Sequence, residues 1–380
     1  MNICIVNDGF NMGGVERVSI KLANSIQSST ENSITLLDFS GKNRFFYKVN
    51  SDVNTPKIIK PRNIKRKVIR KLFQYKHKID NKNVNIQHFY KEQILDLISF
   101  LKMEKQEVLI LCQGMLTAII PIIKKEIPNL KIIAWQHNDF EIYVKQYYKE
   151  FQLDYLLGLQ QADQVVCLTN KDLKNYIKIN KNSCNIYNPL TIESKRISEL
   201  ENKIIVFVGR LVIEQKGLDY LISIAKNINN EWKIVVAGDG ADKDNFNNMI
   251  RDNNLEKKVV LTGSLKSNEL NDLYVKGSIF VSTSRWEGFG LVITEAMACG
   301  LPIVSFNNFG PSEILENGKY GMLVDNYNVD EFIYKLNELI NSKEKRKEMQ
   351  LKSIERVKSF KMEYILNQWM EVISRINQKS

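Results

Sequence analysis

The chain has 380 residues, 44% of them hydrophobic, and a formal net charge of +11. That length exceeds one comfortable core and suits two domains, and the apolar fraction excludes a disordered chain. No apolar run is long enough to span a bilayer. The five scattered cysteines form no Cys-x-x-Cys pair and read as reduced thiols rather than disulfide or zinc ligands.

In chain order, the first apolar run, 3–6, reads as a strand with no charged leader before it, so no secretory signal is expected and the protein is expected in the cytoplasm. Gly13 and Gly14 then open a helix, because Val15, Val18, Leu22 and Ile26 recur at three- and four-residue spacing. Further strand-like runs stand at 34–39, 108–112, 132–135 and 165–168. The stretch 108–123 is interrupted by Gln113, Gly114 and Pro121 and reads as a buried strand followed by a helix.

Between these runs, 60–82 is strongly basic, with Lys65, Arg66, Lys67, Arg70 and Lys71 among its cations and Asp80 as its single acid. Ile64, Val68, Ile69, Leu72 and Phe73 recur there at helical spacing. A basic amphipathic segment of this kind suits an anionic membrane surface or a polyanionic polymer. No zinc finger, RNA-binding signature or helix-turn-helix accompanies it, so nucleic acid is not expected as a partner.

Residues 188–202 start polar and poor in helix signals and read as a linker. Beyond them, strands are expected at 204–208, 233–237, 259–262, 279–282, 303–305 and 322–324. Asn328 followed by Glu331 is a capping-box-like helix start. The stretch 360–376 reads as an amphipathic helix with Tyr364, Ile365, Trp369 and Ile373 on its apolar stripe. This alternation is that of two successive α/β domains.

The run 284–302, Ser-Arg-Trp-Glu-Gly-Phe-Gly-Leu-Val-Ile-Thr-Glu-Ala-Met-Ala-Cys-Gly-Leu-Pro, carries the most chemistry. A strand feeding a glycine turn into a helix N-terminus is an anion site, since free N–H groups and the helix dipole point at the ligand. Glu287 and Glu295 flank it as acceptors for vicinal hydroxyls. Phosphate together with polyol describes a nucleotide sugar. Arg210 and Lys216 follow the strand at 204–208 and offer fixed cations for a departing diphosphate.

Glu287 and Glu295, with seven residues between them and Ala-Met-Ala-Cys-Gly-Leu-Pro after them, resemble the E-x7-E signature of the family 4 retaining glycosyltransferases. Gly13-Gly14-Val15-Glu16, Asn188-Pro189, Val208-Gly209-Arg210, Lys216-Gly217, Ala237-Gly238-Asp239-Gly240 and Gly321-Met322-Leu323-Val324 stand in that family's order. The resemblance is nearly continuous over the C-terminal half. In the N-terminal half it is confined to the glycine turn and the surroundings of His137.

This resemblance implies a GT-B architecture of α/β class, two Rossmann-like domains facing a central cleft. The expected boundaries are 1–188 for an acceptor-binding domain, 189–359 for a nucleotide-sugar-binding domain, and 360–380 for a helix returning to the first. It implies that Arg210 and Lys216 clamp the diphosphate without a metal, and that no cofactor is needed. Glu295 would take the ribose, and Glu287 would lie near the transferred sugar, as a sugar contact or as a holder of the loop.

Backbone at Gly13, Gly14, Gly209, Gly238, Gly240, Gly263, Gly288, Phe289 and Gly290 would line the donor, and His137 would contact its sugar. Glu16 stands either as an acceptor-side contact or as a first-turn acid matched to the helix dipole. The implied reaction is retaining transfer from a nucleoside-diphosphate sugar, UDP-linked by expectation, by front-face substitution without a protein nucleophile. The acceptor would be an envelope glycan, a lipid-linked precursor or a teichoic-acid-type polymer, reached at the inner face of the membrane. The rival readings are a nucleotide-sugar epimerase of the same fold and a non-catalytic protein binding polyanions or membrane.

Overall fold

The computed structural model describes residues 1–61, 68, 69, 71, 72, 75 and 83–378. They form two compact units, Met1–Pro189 with Met362–Ser380, and Leu190–Lys361. Among the described residues no helix is long and apolar enough to cross a membrane. Of the basic stretch, Lys65, Arg66, Lys67 and Arg70 lie outside the described residues, whereas Lys71 is described and exposed.

The first unit holds strands β1 (Asn2–Asn7), β2 (Ser33–Asp38), β3 (Val108–Cys112), β4 (Lys131–Trp135), β5 (Gln164–Cys167) and β6 (Ser183–Asn185). Their order is β2-β1-β3-β4-β5-β6, parallel throughout, with Ile3 opposite both Ile34 and Val108. A parallel sheet covered on both faces needs continuous apolar strands rather than alternating ones, and every residue of β3 is buried. The helix Gly14–Ser29 turns Val18, Leu22 and Ile26 inward.

The chain's last helix, Met362–Gln378, belongs to this same unit. It buries Ile365, Trp369, Val372, Ile373 and Ile376. Trp369 meets Trp135 edge to face at 4.7 Å, and Arg375 donates to Gln164 at 2.9 Å. Tyr364, expected on the apolar stripe, is 57% exposed. Adjacent helix positions are about 100° apart, so a stripe centred on Ile365 and Trp369 turns Tyr364 to solvent.

The second unit holds β7 (Ile204–Val208), β8 (Lys233–Ala237), β9 (Val259–Gly263), β10 (Ile279–Ser282), β11 (Ile303–Phe306) and β12 (Met322–Val324). Their order is β12-β11-β10-β7-β8-β9, again all parallel. Its core gathers Phe207, Phe246, Phe306 and Phe332 beneath the helices. The helix Val329–Asn341 starts where the sequence places it, with the Asn328 side chain accepting from the Glu331 N–H at 3.1 Å.

Both orders are doubly wound, and in such sheets ligands bind at the carboxyl ends of the strands where the order reverses. That point lies between β1 and β3 in the first unit and between β7 and β10 in the second.

Candidate functional site

In the second unit the reversal brings the loop after β7 beside the loop after β10. Gly209 follows β7, and the stem of Lys216 lies over it, so that a Cβ there would stand 3.2 Å from Lys216 Cε. Lys216 ends the short helix Ile213–Lys216 and pairs with Glu287 from the β10 loop. Their side chains are only 10% and 12% exposed. Ser284 Oγ donates to the same Glu287 oxygen at 2.9 Å, and Asn308 Nδ2 holds the Ser284 carbonyl at 2.8 Å. Arg210 is exposed, and its guanidinium reaches Gln215 Oε1 at 3.2 Å.

The two loops are fastened to each other at several points. Arg285 N donates to Gln215 O at 2.8 Å, and Thr283 Oγ1 to Lys216 O at 2.8 Å. The Arg285 guanidinium reaches the carbonyls of Ile213 and Glu214, forks onto both Asp219 oxygens at 2.9 and 2.6 Å, and stacks over Tyr220 at 4.2 Å. Gly217 makes the approach possible: it has φ +59°, and a Cβ there would stand 2.1 Å from Thr283 O. Sequence reasoning missed Arg285 and Asp219, because 66 residues separate them and no local pattern joins them.

Gly238 and Gly240 follow β8. A Cβ on Gly238 would lie 1.8 Å from Gly209 O, so this backbone contact admits only glycine. Gly238 N also donates to Gly263 O at 2.9 Å, which joins the ends of β8 and β9. Gly209, Gly238, Gly263, Lys216 and Glu287 are thus connected by direct contacts. Gly290 precedes the helix Leu291–Ala298, and Gly288 stands in the same turn. The Phe289 ring is buried against Phe360 at 5.8 Å, and its backbone carbonyl packs on Gly310, where a Cβ would stand 2.1 Å from it.

Glu295 has partners of its own. It is 1% exposed, with Thr191 donating to one carboxylate oxygen and Tyr274 OH to the other at 3.1 Å. A carboxylate keeps lone pairs beyond two such bonds, so a diol at Glu295 would share it with Thr191 and Tyr274.

The remaining candidates belong to the first unit. Gly13 precedes the helix Gly14–Ser29, and Glu16 lies in its first turn. His137, two residues past β4, is 8% exposed and packs on Trp135 at 4.3 Å. Neither of its ring nitrogens has a hydrogen-bond partner within the chain. Burial lowers its pKa to about 3, so the ring is neutral at ordinary pH and offers one donor and one acceptor. Among the described residues no group of three or more His, Cys, Asp or Glu side chains gathers as a metal site.

Residues 191–356 match the family model for glycosyl transferases group 1. An uncharacterized glycosyltransferase of Haemophilus influenzae is 28% identical over 379 residues, covering 97% of this chain and 98% of its own length. The poly(ribitol-phosphate) alpha-N-acetylglucosaminyltransferase of Staphylococcus aureus is 30% identical over 227 residues, which span 58% of this chain and 43% of that protein. Among solved structures, the lipopolysaccharide outer core galactosyltransferase WaaB superposes with a TM-score of 0.74 over 99% of both chains at 18% identity. HepE of Anabaena in complex with UDP gives 0.74 at 16% identity, over 99% of this chain and 100% of that one. These likenesses assign the fold, two Rossmann-like units of GT-B architecture.

Proposed function

Taking as premise that residues 191–356 form a glycosyl transferases group 1 domain, we propose that this glycosyltransferase moves a sugar from a UDP-sugar, with retention, to a cell-envelope glycan, lipid-linked precursor or teichoic-acid-type polymer. The observation that carries the reading is the buried Lys216–Glu287 pair, with Arg210 beside it, at the strand reversal of the second sheet. The names of the S. aureus relative and of the UDP-bound neighbour support the acceptor and donor classes.

In this reading the donor diphosphate takes up Lys216, releasing Glu287 toward the sugar hydroxyls, and Arg210 swings onto the phosphates. Glu295 and its partners hold the ribose. The bond from the anomeric carbon to the phosphate oxygen breaks as the acceptor oxygen attacks from the same face. The acceptor's proton passes to the leaving phosphate oxygen. Once engaged, these cations match charge that grows in the transition state, so in this reading no metal is required. His137 offers the sugar a neutral donor and acceptor, and Glu16 faces the acceptor.

The test is a thermal-shift panel of UDP-, GDP- and ADP-sugars, followed by transfer assays with excess EDTA. A specific ligand raises apparent stability by mass action, so a shift with UDP-sugars and EDTA-resistant turnover are expected. No shift with any sugar nucleotide, or chelator-sensitive turnover restored by magnesium, overturns the reading.

The basic stretch at 60–82 is proposed to bring the enzyme to the anionic inner face of the membrane. In support, Val68 and Leu72 from its apolar series are exposed, at 51% and 64%. Cosedimentation with anionic vesicles that is abolished by Lys65→Glu, Arg66→Glu and Lys67→Glu together, or by salt, is the expected result. Binding insensitive to both would refute it.

A further inference from the structure

We propose that Gln113 is a positioning residue: it spans the strand reversal of the first sheet and sets the turn that carries Glu16 for the incoming acceptor. The proposal rests on the transferase reading above and names the device that orders its acceptor side.

Gln113 directly follows β3 and has φ +78° and ψ 158°, a conformation native to glycine and strained for any side chain. The strain is fixed from both directions. Gln113 N continues the ladder to Trp135 O at 2.9 Å, and Gln113 O accepts from Thr117 N at 3.2 Å and Thr117 Oγ1 at 3.1 Å. Glycine would hold these backbone bonds without strain, so they do not explain why a glutamine stands here.

Its amide does. Gln113 Nε2 donates to Asn7 Oδ1 at 3.1 Å, linking the ends of the paired strands β3 and β1. The same oxygen accepts from Asp8 N at 3.1 Å. Asn7, fully buried at the end of β1, donates its Nδ2 to Ser19 Oγ at 3.3 Å. Ser19 Oγ in turn donates to the Glu16 carbonyl at 3.1 Å. Every donor in this series is used once, and the series ends on the residue assigned to the acceptor side. The Glu16 carboxylate folds back over Gly13, within 2.2 Å of where a Cβ would stand, and its charge helps burial to raise the pKa of the Cys112 thiol at the end of β3. The strained residue and the acidic side chain therefore share one strand end.

Two variants test the role. Gln113→Gly removes the amide and relieves the backbone; Gln113→Met keeps side-chain bulk and strain without the amide. Each is compared with the wild-type full chain by thermal melting, amide exchange, and turnover of UDP-N-acetylglucosamine with and without poly(ribitol phosphate). Gln113→Gly is expected to melt no lower than wild type, since strain relief offsets the added freedom of the unfolded chain. Both variants should speed exchange at the Asp8 amide by about tenfold. Both should raise the acceptor KM by about tenfold while donor hydrolysis in water is unchanged, because a displaced acceptor loses productive geometry.

A merely structural glutamine would leave the ratio of transfer to hydrolysis where it was. Wild-type exchange at Asp8 in both variants overturns the proposal, as does faster exchange with wild-type acceptor kinetics. A wild-type enzyme that neither binds nor turns over any sugar nucleotide sinks the transferase reading instead. In that case exchange at Asp8 still decides whether Gln113 sets the turn.

Discussion

Lys216 and Glu287 are nearly enclosed and face each other as an ion pair. Removing one partner of such a pair leaves a buried ion uncompensated, at about 3–5 kcal/mol, whereas removing both is far milder. Lys216→Met is therefore expected to lose about that much stability in urea unfolding, and Lys216→Met with Glu287→Gln to recover most of it. Initial rates should stay low in both. Equal stability losses in the single and double variants would show that the two charges are not coupled. Asp172 is another buried acid, accepting from Phe140 N at 3.0 Å and from Thr169 Oγ1 at 2.8 Å. Burial raises its pKa from 3.8 to about 6. The folded state then holds this proton more tightly than the unfolded chain, so the contribution is complete below about pH 4 and lost as pH rises through about 6, a fall of about 3 kcal/mol. Asp172→Asn should remove that fall; an unchanged stability–pH curve between 4 and 7 would contradict it. In the sequence Asp172 carried no signal, because its meaning lies in what covers it.

Strands read well from the sequence because a parallel sheet buries both faces, and runs such as Val108 to Cys112 or Ile204 to Val208 are apolar without interruption. The edge strand β6, Ser-Cys-Asn, has no such run and gave no signal. The glycine turns and the two glutamates of the second unit were legible as a motif. What holds the motif in shape was not, since Arg285 reaches back to Asp219, Ile213 and Glu214 through the fold alone. That clasp makes a prediction about the loops as elements. Arg285→Lys keeps the charge but loses the fork onto Asp219 and the stack on Tyr220. It should lower kcat about tenfold with little change in donor affinity, read by initial rates and calorimetry. A donor Kd that weakens in proportion would place Arg285 in binding rather than alignment. Gly217→Ala should be harsher, because it adds strain at φ +59° and drives a Cβ into Thr283 O.

The two-domain organisation was legible from length and from the repeated strand–helix alternation. The division of the chain into Met1–Pro189 with Met362–Ser380, and Leu190–Lys361, gives the molecule two cores. Truncation after Lys361 should therefore abolish the unfolding transition of the first unit, which loses Ile365, Trp369 and Ile373 from its interior, and leave that of the second. Calorimetry of the shortened chain showing two intact transitions would refute this. The contact of Trp369 with Trp135 also has a temporal meaning. A ribosome delivers Trp135 first and Trp369 only after all of Leu190–Lys361 has emerged. Domains commonly fold as they are made, beginning from the N-terminus. Here the half that is started first is finished last, and until the closing helix arrives its apolar seam has no cover, so a stalled or nonsense-truncated nascent chain would present that seam to the cell's chaperones and proteases.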